Sequence, residues 1–405
     1  MKEITFIHAA DLHLDSPMTG LSHLPKDIFE RLKDSTFAAL RKITDAAIQH
    51  HVDFVILAGD LFDEQDRSVR AQTRLRKEMV RLEAHQIQVY VVHGNHDHLN
   101  GTWVHLDMPE NVHVFSEQVE VKTLIKQNVV THLYGFSYDK RHVVENRLAE
   151  YSKKDGADFH IGILHGHHEG ASDHRKYAPF RLKELIEKRF DYWALGHIHK
   201  RTIVHENPYV VYPGNIQGRN KKETGKKGCY LVRLNQEETK LEFIDTAVIQ
   251  WEQLLLNGQD INHFQELYVY CQKAIEEKRL HRKGVFLSIT LQNIRFDEKE
   301  LTSVLNGDLL QALQEEEKEE DSFVWPTKIE VEQSYTWVRS QLEQESDFYF
   351  ELFRTADDVE DIQESISPLF EHPTAAKFLP QLSETEKQEL KQQALHTLLG
   401  LLHKN

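Results

Sequence analysis

The chain has 405 residues, of which 40% are hydrophobic, so there is room for two or three domains and for a buried core in the first. No apolar stretch follows a basic segment at the start, and no apolar run is long enough to span a bilayer, so we expect neither secretion nor membrane insertion. Cys229 and Cys271 lie in unrelated segments and are expected to be free thiols in a reducing cytosol, which predicts a cytoplasmic location.

A net charge of −16 would argue against a nucleic-acid enzyme if the acidic residues were spread evenly along the chain, but they are not. From residue 251 onward there are about 30 acidic and about 15 basic residues, whereas the part before has about 35 and about 34. The acidity therefore belongs to the C-terminal part. The near-neutral first part can still bind phosphate groups through metal ions or a basic loop.

Apolar runs that predict β-strands precede several short polar motifs in the first half of the chain. The runs are residues 4–7, 54–57, 89–92 and 161–164. The motifs are Asp11-Leu12-His13, Gly59-Asp60, Gly94-Asn95-His96-Asp97, His165-Gly166-His167 and Gly196-His197-Ile198-His199. Because open α/β folds bind ligands at strand ends, we expect these side chains to converge in one crevice.

Together the motifs supply the carboxylates, imidazoles and amide oxygen that two adjacent metal ions need. Two divalent cations about 3.5–4 Å apart require a bridging ligand, and the carboxylate of Asp60 can give one oxygen lone pair to each. A mixed N/O ligand set suits Mn, Fe or Zn better than Mg or Ca. Each motif alone is weak evidence, because Asp-x-His and Gly-Asp are common in turns, but all five in order predict a metal-dependent phosphoesterase.

At these residues the chain resembles the calcineurin-like metallophosphoesterase superfamily, and within it the DNA repair exonucleases of the SbcD/YhaO type. The resemblance lies in residues 6–14, 59–63 and 212–217, with residues 225–228 similar to the YhaO branch in particular. It covers about residues 1–250. It implies an α/β fold in which a β-sandwich is flanked by helices in the order α/β/β/α, followed by a small α+β capping domain and a helical C-terminal region.

The resemblance also implies a role for each motif residue. Asp60 would bridge the two metal ions. The other ligands would be Asp11, His13 and His199 for the first ion, and Asn95, His165 and His197 for the second. His96 would face the scissile phosphate as a catalytic residue, with Asp97 orienting its ring. The chain departs from some archaeal relatives at Asp63, where those have a histidine near the phosphate.

A basic loop follows the last motif by about 20 residues and is flanked by two predicted strands. Its cations are Arg219, Lys221, Lys222, Lys226 and Lys227. A short Lys-rich run of this kind is commonly a solvated hairpin tip. Because this one follows the metal motifs, we also expect it to contact DNA phosphates without reading the base sequence.

The predicted domains are residues 1–250 (nuclease), 251–335 (capping) and 336–405 (helical). In the capping unit the pattern predicts helices over 261–277 and 298–313, strands over 285–291 and 328–332, and a solvated acidic loop over 315–321. Helices are expected from Trp337 onward. In relatives such helices dock on an SMC-like ATPase, and residues 395–402 offer an apolar face for that, although intramolecular packing explains the face equally well.

The remaining histidines have no motif around them, and we expect them to be surface or packing residues. His8, His93 and His160 are examples. His98, His167 and His168 adjoin ligand motifs and are left unassigned.

The sequence therefore predicts a two-metal, Mn-dependent nuclease that hydrolyses phosphodiester bonds at DNA ends in repair and recombination, with an SMC/SbcC-like ATPase partner. A homodimer is left open. Two alternatives remain: a small-molecule phosphodiesterase or phosphatase of the same fold, and a non-catalytic scaffold. The additional C-terminal domains oppose the first, and the complete set of ligand motifs opposes the second.

Overall fold

The computed structural model describes residues 2–18, 20–21, 24–63, 67–101, 104–169, 177–294, 296–318, 320–332, 339–359, 362–371, 382 and 384–402. In the first 245 residues the strands and helices are, in chain order, β1 (Glu3–Ala9), α1 (Lys26–Lys33), α2 (Ser35–Gln49), β2 (Phe54–Ala58), α3 (Val69–Ala84), β3 (Gln88–Val92), β4 (Val112–Val114), β5 (Glu120–Lys126), β6 (Val129–Gly135), β7 (Phe159–His165), α4 (Leu182–Glu187), β8 (Tyr192–Gly196), β9 (Thr202–Glu206), β10 (Tyr209–Tyr212), β11 (Gly228–Asn235) and β12 (Thr239–Asp245). The four strands predicted over 4–7, 54–57, 89–92 and 161–164 are present as β1, β2, β3 and β7, and the two predicted beside the basic loop are β10 and β11.

These strands form two six-stranded sheets, with the orders β12-β11-β1-β2-β3-β4 and β5-β6-β7-β8-β10-β9. The sheets pack face to face through large side chains: the Phe6 ring stacks on Phe54 at 4.9 Å and meets the edge of Tyr192, from the other sheet, at 5.3 Å. Helices α2 and α3 cover the outer face of the first sheet, and α4 packs on the outer face of the second. Strands buried on both faces explain the nearly continuous apolar runs. The predicted α/β/β/α sandwich is confirmed.

A third, three-stranded parallel sheet follows, in the order β13-β14-β15. Its elements are β13 (Ile249–Asn257), α5 (Phe264–Glu277), β14 (Gly284–Gln292), α6 (Glu298–Leu305), α7 (Asp308–Glu315) and β15 (Val324–Glu332). The single helix predicted over 298–313 is two helices, because Gly307 adopts a left-handed conformation (φ 94°) between them. The sequence pattern does not predict strand β13, which crosses the expected boundary at residue 250. The division into domains stays a prediction.

The third sheet packs on helix α1 of the first part. Ile28 and Leu32 of α1 lie in one buried cluster with Trp251 and Phe286 of the third sheet. At the edge of this cluster the Arg31 guanidinium donates hydrogen bonds to the backbone carbonyls of residues 248, 282 and 321, at 3.3, 3.4 and 2.6 Å. One helix therefore connects the sandwich to the unit that follows it.

The C-terminal helices are α8 (Arg339–Glu345), α9 (Asp347–Asp358), α10 (Gln363–Glu371) and α11 (Glu384–Leu402). Their shared buried cluster comprises Leu342, Phe353 and Leu399, and Trp337, where helical structure is predicted to begin, lies outside the described residues. Glu317 does not fit the predicted solvated acidic loop, because its buried carboxylate pairs with Arg279 at 2.8 Å. None of the described helices combines the length and the apolar character needed to cross a bilayer.

The two large sheets approach each other closely at the carboxyl ends of β2 and β8. A Cβ atom at Gly196 would lie only 1.8 Å from the carbonyl oxygen of Ala58, which belongs to the opposite sheet. The same carbonyl oxygen accepts a hydrogen bond from Nδ1 of His165 at 3.0 Å. The absence of a side chain at Gly196 therefore permits this approach of the two sheets.

We predict that Gly196→Ala lowers the free energy of unfolding by about 1–3 kcal/mol or more, because the added methyl group must displace backbone. Urea denaturation followed by circular dichroism measures the change. An unchanged midpoint and slope would contradict the close approach of the sheets at this position.

Candidate metal centre

The predicted ligands converge at one end of the sandwich. The ligands of the first sheet lie just after strands β1, β2 and β3. In the second sheet, one ligand is the last residue of β7 and the other two lie just after β8. The residues are Asp11, His13, Asp60 and Asn95 from the first sheet, and His165, His197 and His199 from the second. Backbone hydrogen bonds align the first two segments: Asp11 N–H donates to Gly59 O, and His13 N–H donates to Asp60 O, both at 3.0 Å.

Four of these residues adopt the left-handed backbone conformation, which side chains other than glycine rarely enter. Asp11, His13, Asp60 and His197 have φ angles of 51°, 43°, 49° and 101°. Each such residue costs about 1–3 kcal/mol unless its surroundings enforce it, and such residues concentrate at functional sites. The chain turns sharply after each strand and so directs the side chains into the space between the sheets.

The first cluster consists of Asp11, His13 and His199. One ligand atom from each of these side chains lies within 4.8 Å of the others. Nε2 of His13 and Nε2 of His199 are only 3.0 Å apart, although they come from different sheets. The second cluster is Asp60, His165 and His197, which meet the same distance criterion. Asn95 joins it, with Oδ1 3.2 Å from His165 Nε2.

Asp60 lies between the two clusters. Its Oδ2 atom is 3.4 Å from Nε2 of His165 in the second cluster and 4.0 Å from Nε2 of His13 in the first. Its Oδ1 atom accepts a hydrogen bond from the backbone N–H of His96 at 3.0 Å. The carboxylate is therefore held where a ligand shared by two ions would have to be.

The hydrogen bonds around the first cluster explain why a cation fits it. His13 donates its Nδ1–H to Asp63 Oδ1 at 2.5 Å, and His199 donates its Nδ1–H to Glu223 Oε1 at 2.8 Å. An ionised carboxylate only accepts hydrogen bonds, so Nδ1 carries a proton in both rings, and Nε2 of each ring in its neutral form presents a lone pair. Two facing lone pairs 3.0 Å apart, beside Asp11, form a binding position for a positive ion.

The charges of the second cluster lead to the same conclusion. Burial alone would lower the pKa of His165, but the negative charges of Asp60 and Asp11 raise it to about 9. Burial, followed by the neighbouring His165, lowers the pKa of His197 to about 3. Without another cation the cluster retains a proton on His165, and a divalent ion would take the place of that proton.

The predicted pairing of Asp97 with His96 is wrong. The buried Asp97 carboxylate accepts hydrogen bonds from the Nδ1–H of His93 at 2.8 Å and from the backbone N–H groups of Gly94 and Leu61 at 2.7 and 2.8 Å. Asp97 therefore fixes the turn after β3 and orients His93, a histidine that the sequence marks only as incidental. His96 itself is half-buried and lies outside both clusters, with its ring centroid 5.2 Å from that of His13.

The basic loop divides into two groups, which corrects the expectation that all five cations face DNA. Arg219 is largely buried and pairs with Asp63 at 3.0 Å and with Glu223 at 3.2 Å. Lys227 is also buried and donates to the backbone oxygen of His199 at 3.0 Å. These two side chains turn toward the first cluster. The exposed cations of the loop are Lys221, Lys222 and Lys226.

Sequence reasoning therefore missed Asp63 and Glu223, which support two of the candidate ligands, and His93, which pairs with Asp97. In the sequence Asp63 stands out only as a departure from archaeal relatives, and Glu223 as the acidic member of a basic loop. For a buried carboxylate, desolvation raises the pKa, but the His13 hydrogen bond and the Arg219 charge outweigh it, so the pKa of Asp63 is well below its usual value. The spacing of Asp63 is the signal that could have found it, because it follows Asp60 by three residues.

Comparison with known proteins agrees with the fold described above. A family model described as calcineurin-like phosphoesterase matches residues 4–201. A metallophosphoesterase of Bacillus subtilis, YhaO, which is described as uncharacterized, is 42% identical over 400 residues, or 97% of each chain. The DNA double-strand break repair protein Mre11 of Methanocaldococcus jannaschii is 27% identical over 282 residues, covering 64% of this chain and 71% of that protein. The Mre11 protein of Sulfolobus acidocaldarius is 27% identical over 297 residues, covering 69% and 72%.

The chain belongs to the calcineurin-like phosphoesterase family. It is a metallophosphoesterase, and its two clusters of candidate ligands lie where five separate motifs of the sequence meet.

We predict that Asp60→Asn reduces the number of tightly bound metal ions and abolishes phosphodiester hydrolysis, because a carboxamide offers only one good ligand oxygen. The change is nearly isosteric, so the fold should survive. Metal analysis after dialysis, with Mn²⁺ as the probe, measures the effect. Asp53→Asn is the matched control, because Asp53 immediately precedes the first residue of β2, at the end of the strand away from Asp60. Two ions retained at full activity in Asp60→Asn would contradict the bridging role.

Proposed function

We propose that this protein is a two-metal phosphodiesterase, with Mn²⁺ as the metal, that cleaves DNA at or near its ends in repair or recombination. The observation that carries the proposal is the Asp60 carboxylate, which lies between two ligand clusters that contain all seven predicted ligands. The relatives named Mre11 support DNA as the substrate, because they are 27% identical to this chain over 64% and 69% of its length.

Two divalent ions bound here would generate a nucleophile from water at neutral pH and neutralise charge on the phosphoryl oxygens. Side chains of the protein would hold the metal ligands in position. Asp63 and Glu223 keep the imidazoles of His13 and His199 in the tautomer that leaves Nε2 free. The imidazole of His96, held at the rim by its backbone bond to Asp60, can donate a hydrogen bond or a proton to the departing oxygen.

The donor set favours manganese, iron and zinc, and manganese is the metal that we propose. The clusters combine imidazole nitrogens, carboxylates and one amide oxygen, and the described residues of both clusters include no thiolate. Both cysteines, Cys229 and Cys271, are buried free thiols away from these clusters, which agrees with a reducing, cytoplasmic location.

DNA would meet the exposed lysines of the basic loop. Lys221, Lys222 and Lys226 project from the segment that Arg219 and Glu223 attach to the first cluster. Phosphate contacts from such lysines bind without regard to base sequence. This is the contact expected of an enzyme that recognises DNA ends and not a particular sequence.

An SMC-like ATPase partner is part of the proposal and rests on the C-terminal helices. Their described buried cluster is small, and Phe348, Phe350 and Leu398 are 56%, 51% and 41% exposed. Exposed apolar side chains on neighbouring helices suit a docking surface. Packing against another part of the same chain, or a homodimer contact, would cover the same side chains.

A small-molecule phosphodiesterase remains the second candidate, because the same clusters would hydrolyse any accessible phosphodiester. The unit formed by β13–β15 and its attachment to α1 favour a large substrate. Cleavage of labelled linear duplex, hairpin and single-stranded DNA, compared with cleavage of bis-p-nitrophenyl phosphate, tests the choice. Hydrolysis of the small substrate alone would favour the second candidate.

We predict that His96→Ala lowers the turnover of DNA by about 10²–10⁴-fold, because the group that assists the leaving oxygen is removed. Both metal ions should be retained, since His96 lies outside the two ligand clusters. Steady-state kinetics and metal analysis on the same sample separate the two effects. If His96→Ala loses as much metal as Asn95→Ala, His96 is a ligand and its proposed role is wrong.

We predict that changing Lys221, Lys222 and Lys226 together to Gln weakens binding to every DNA sequence alike. The salt dependence of log K should flatten by roughly one unit for each phosphate that the variant no longer neutralises. Arg219 and Lys227 are kept, because they support the metal site.

Fluorescence anisotropy titrations at several salt concentrations measure the effect of the lysine changes. The matched control replaces Lys2, Lys126 and Lys240 by Gln, because these lie at the opposite end of the strands. An unchanged salt slope in the loop variant would place the phosphate contacts elsewhere. Hydrolysis of bis-p-nitrophenyl phosphate should be nearly unaffected in both variants.

A further inference from the structure

Arg219 is a cation placed between two buried carboxylates that each support one metal-site imidazole. Its Nη1 atom donates to Asp63 Oδ1 at 3.0 Å, and its Nη2 atom donates to Glu223 Oε1 at 3.2 Å. Its side chain is only 17% exposed, and those of Asp63 and Glu223 are 14% and 10% exposed. The guanidinium thus joins two residues that are far apart in the sequence.

The same two carboxylate oxygens accept the imidazole protons of the first cluster. Asp63 Oδ1 accepts from His13, and Glu223 Oε1 accepts from His199. Each oxygen therefore receives one hydrogen bond from an imidazole and one from Arg219. The positions of His13 and His199, whose Nε2 atoms are 3.0 Å apart, depend on where Arg219 holds the two carboxylates.

Glu223 is fixed from its other side as well. Its Oε2 atom accepts from Asn215 Nδ2 at 2.7 Å and from the backbone N–H of Arg219 at 2.8 Å. Arg219 and Glu223 thus form a closed turn within one loop, and the guanidinium reaches across to Asp63. The planar fork of an arginine can bind two carboxylates at fixed angles, which a lysine ammonium cannot do with the same geometry.

We propose that Arg219 is a positioning residue for the first cluster, which holds Asp63 and Glu223 so that His13 and His199 both direct Nε2 at one divalent ion. The inference rests on the part of the proposed function that places an ion at Asp11, His13 and His199. It adds that this ion is held tightly only when the guanidinium joins the two outer carboxylates.

The direction in which cation affinity changes when Arg219 is replaced distinguishes a positioning role from a purely electrostatic effect. Arg219 is positively charged and lies near the cation position, with Nη2 3.3 Å from His199 Nδ1. If its charge alone mattered, removing the charge would strengthen cation binding. If positioning matters, removing the guanidinium loosens two ligands and weakens binding.

The experiment is a titration of metal-free protein with Mn²⁺ by isothermal calorimetry. We expect two binding steps in the unmodified chain, and His199→Ala identifies the step that belongs to the first cluster. In Arg219→Met this step should weaken by about 10–100-fold, the usual effect of removing an outer hydrogen-bond partner of a ligand. The other step should change much less.

Two further variants make the test specific. Lys200→Met removes one positive charge from the exposed residue next to His199 and should leave both steps unchanged, since among the described residues Lys200 pairs with neither outer carboxylate of the cluster. Arg219→Lys keeps the charge and should recover only part of the affinity. Thermal unfolding in EDTA checks that each variant is folded, and Arg219→Lys carries the test if Arg219→Met is not.

Coupling between the partners gives an independent readout. Arg219→Met combined with Glu223→Ala should weaken the first step by less than the sum of the two single changes, because both remove the same support of His199. A structural role unrelated to His199 would give additive effects.

Unchanged or tighter binding of the first ion in Arg219→Met would overturn the inference, as would additive effects in the double variant. Its failure is distinguishable from failure of the proposed function. A chain that binds two ions with the expected Arg219 effect but does not cleave DNA would refute only the proposed substrate. A chain that cleaves DNA, and whose Arg219→Met variant binds the first ion as tightly as the unmodified protein, would refute only the role of Arg219.

Discussion

The candidate metal centre depends on the close approach of the two sheets at the ends of β2 and β8. Gly196 has no side chain where the carbonyl of Ala58 passes, and that carbonyl in turn orients the ring of His165. The approach brings Asp60, at the end of one sheet, within 3.4 Å of an imidazole from the other. Without it the ligands of the two sheets would be separated by the width of a sandwich core, about 10 Å.

Crowding of carboxylates and lone pairs is costly in a folded protein unless positive charge compensates for it. The chain supplies part of this compensation through Arg219, which pairs with the outer carboxylates of Asp63 and Glu223. These carboxylates accept the imidazole protons, so the inner ring nitrogens remain available. This crowding of carboxylates and lone pairs is unfavourable without a cation. Because the negative groups lie so close together, the same crowding favours a small, highly charged ion.

The loop from Arg219 to Lys227 illustrates how one basic segment can serve two purposes. Its ends, Arg219 and Lys227, are buried and contact the metal-site side chains and backbone. The middle of the loop carries the exposed lysines. Gly225 N–H also donates to Trp251 O at 2.9 Å, and Trp251 Nε1–H donates to Gly218 O at 3.1 Å. The loop therefore connects the first cluster to β13 and the unit that follows the sandwich.

The sequence by itself determined the strands β1, β2, β3 and β7 and the residues that meet at their ends, because apolar runs and polar motifs are local properties. It did not reveal β13 or the break at Gly307, which depend on packing and on one backbone conformation. Only the tertiary structure decided the partners of Arg219 and the contact of Asp97 with Leu61 across 36 positions. Arg219 reaches Asp63 across 156 positions, and no local pattern specifies which loops approach one another once the sheets have packed.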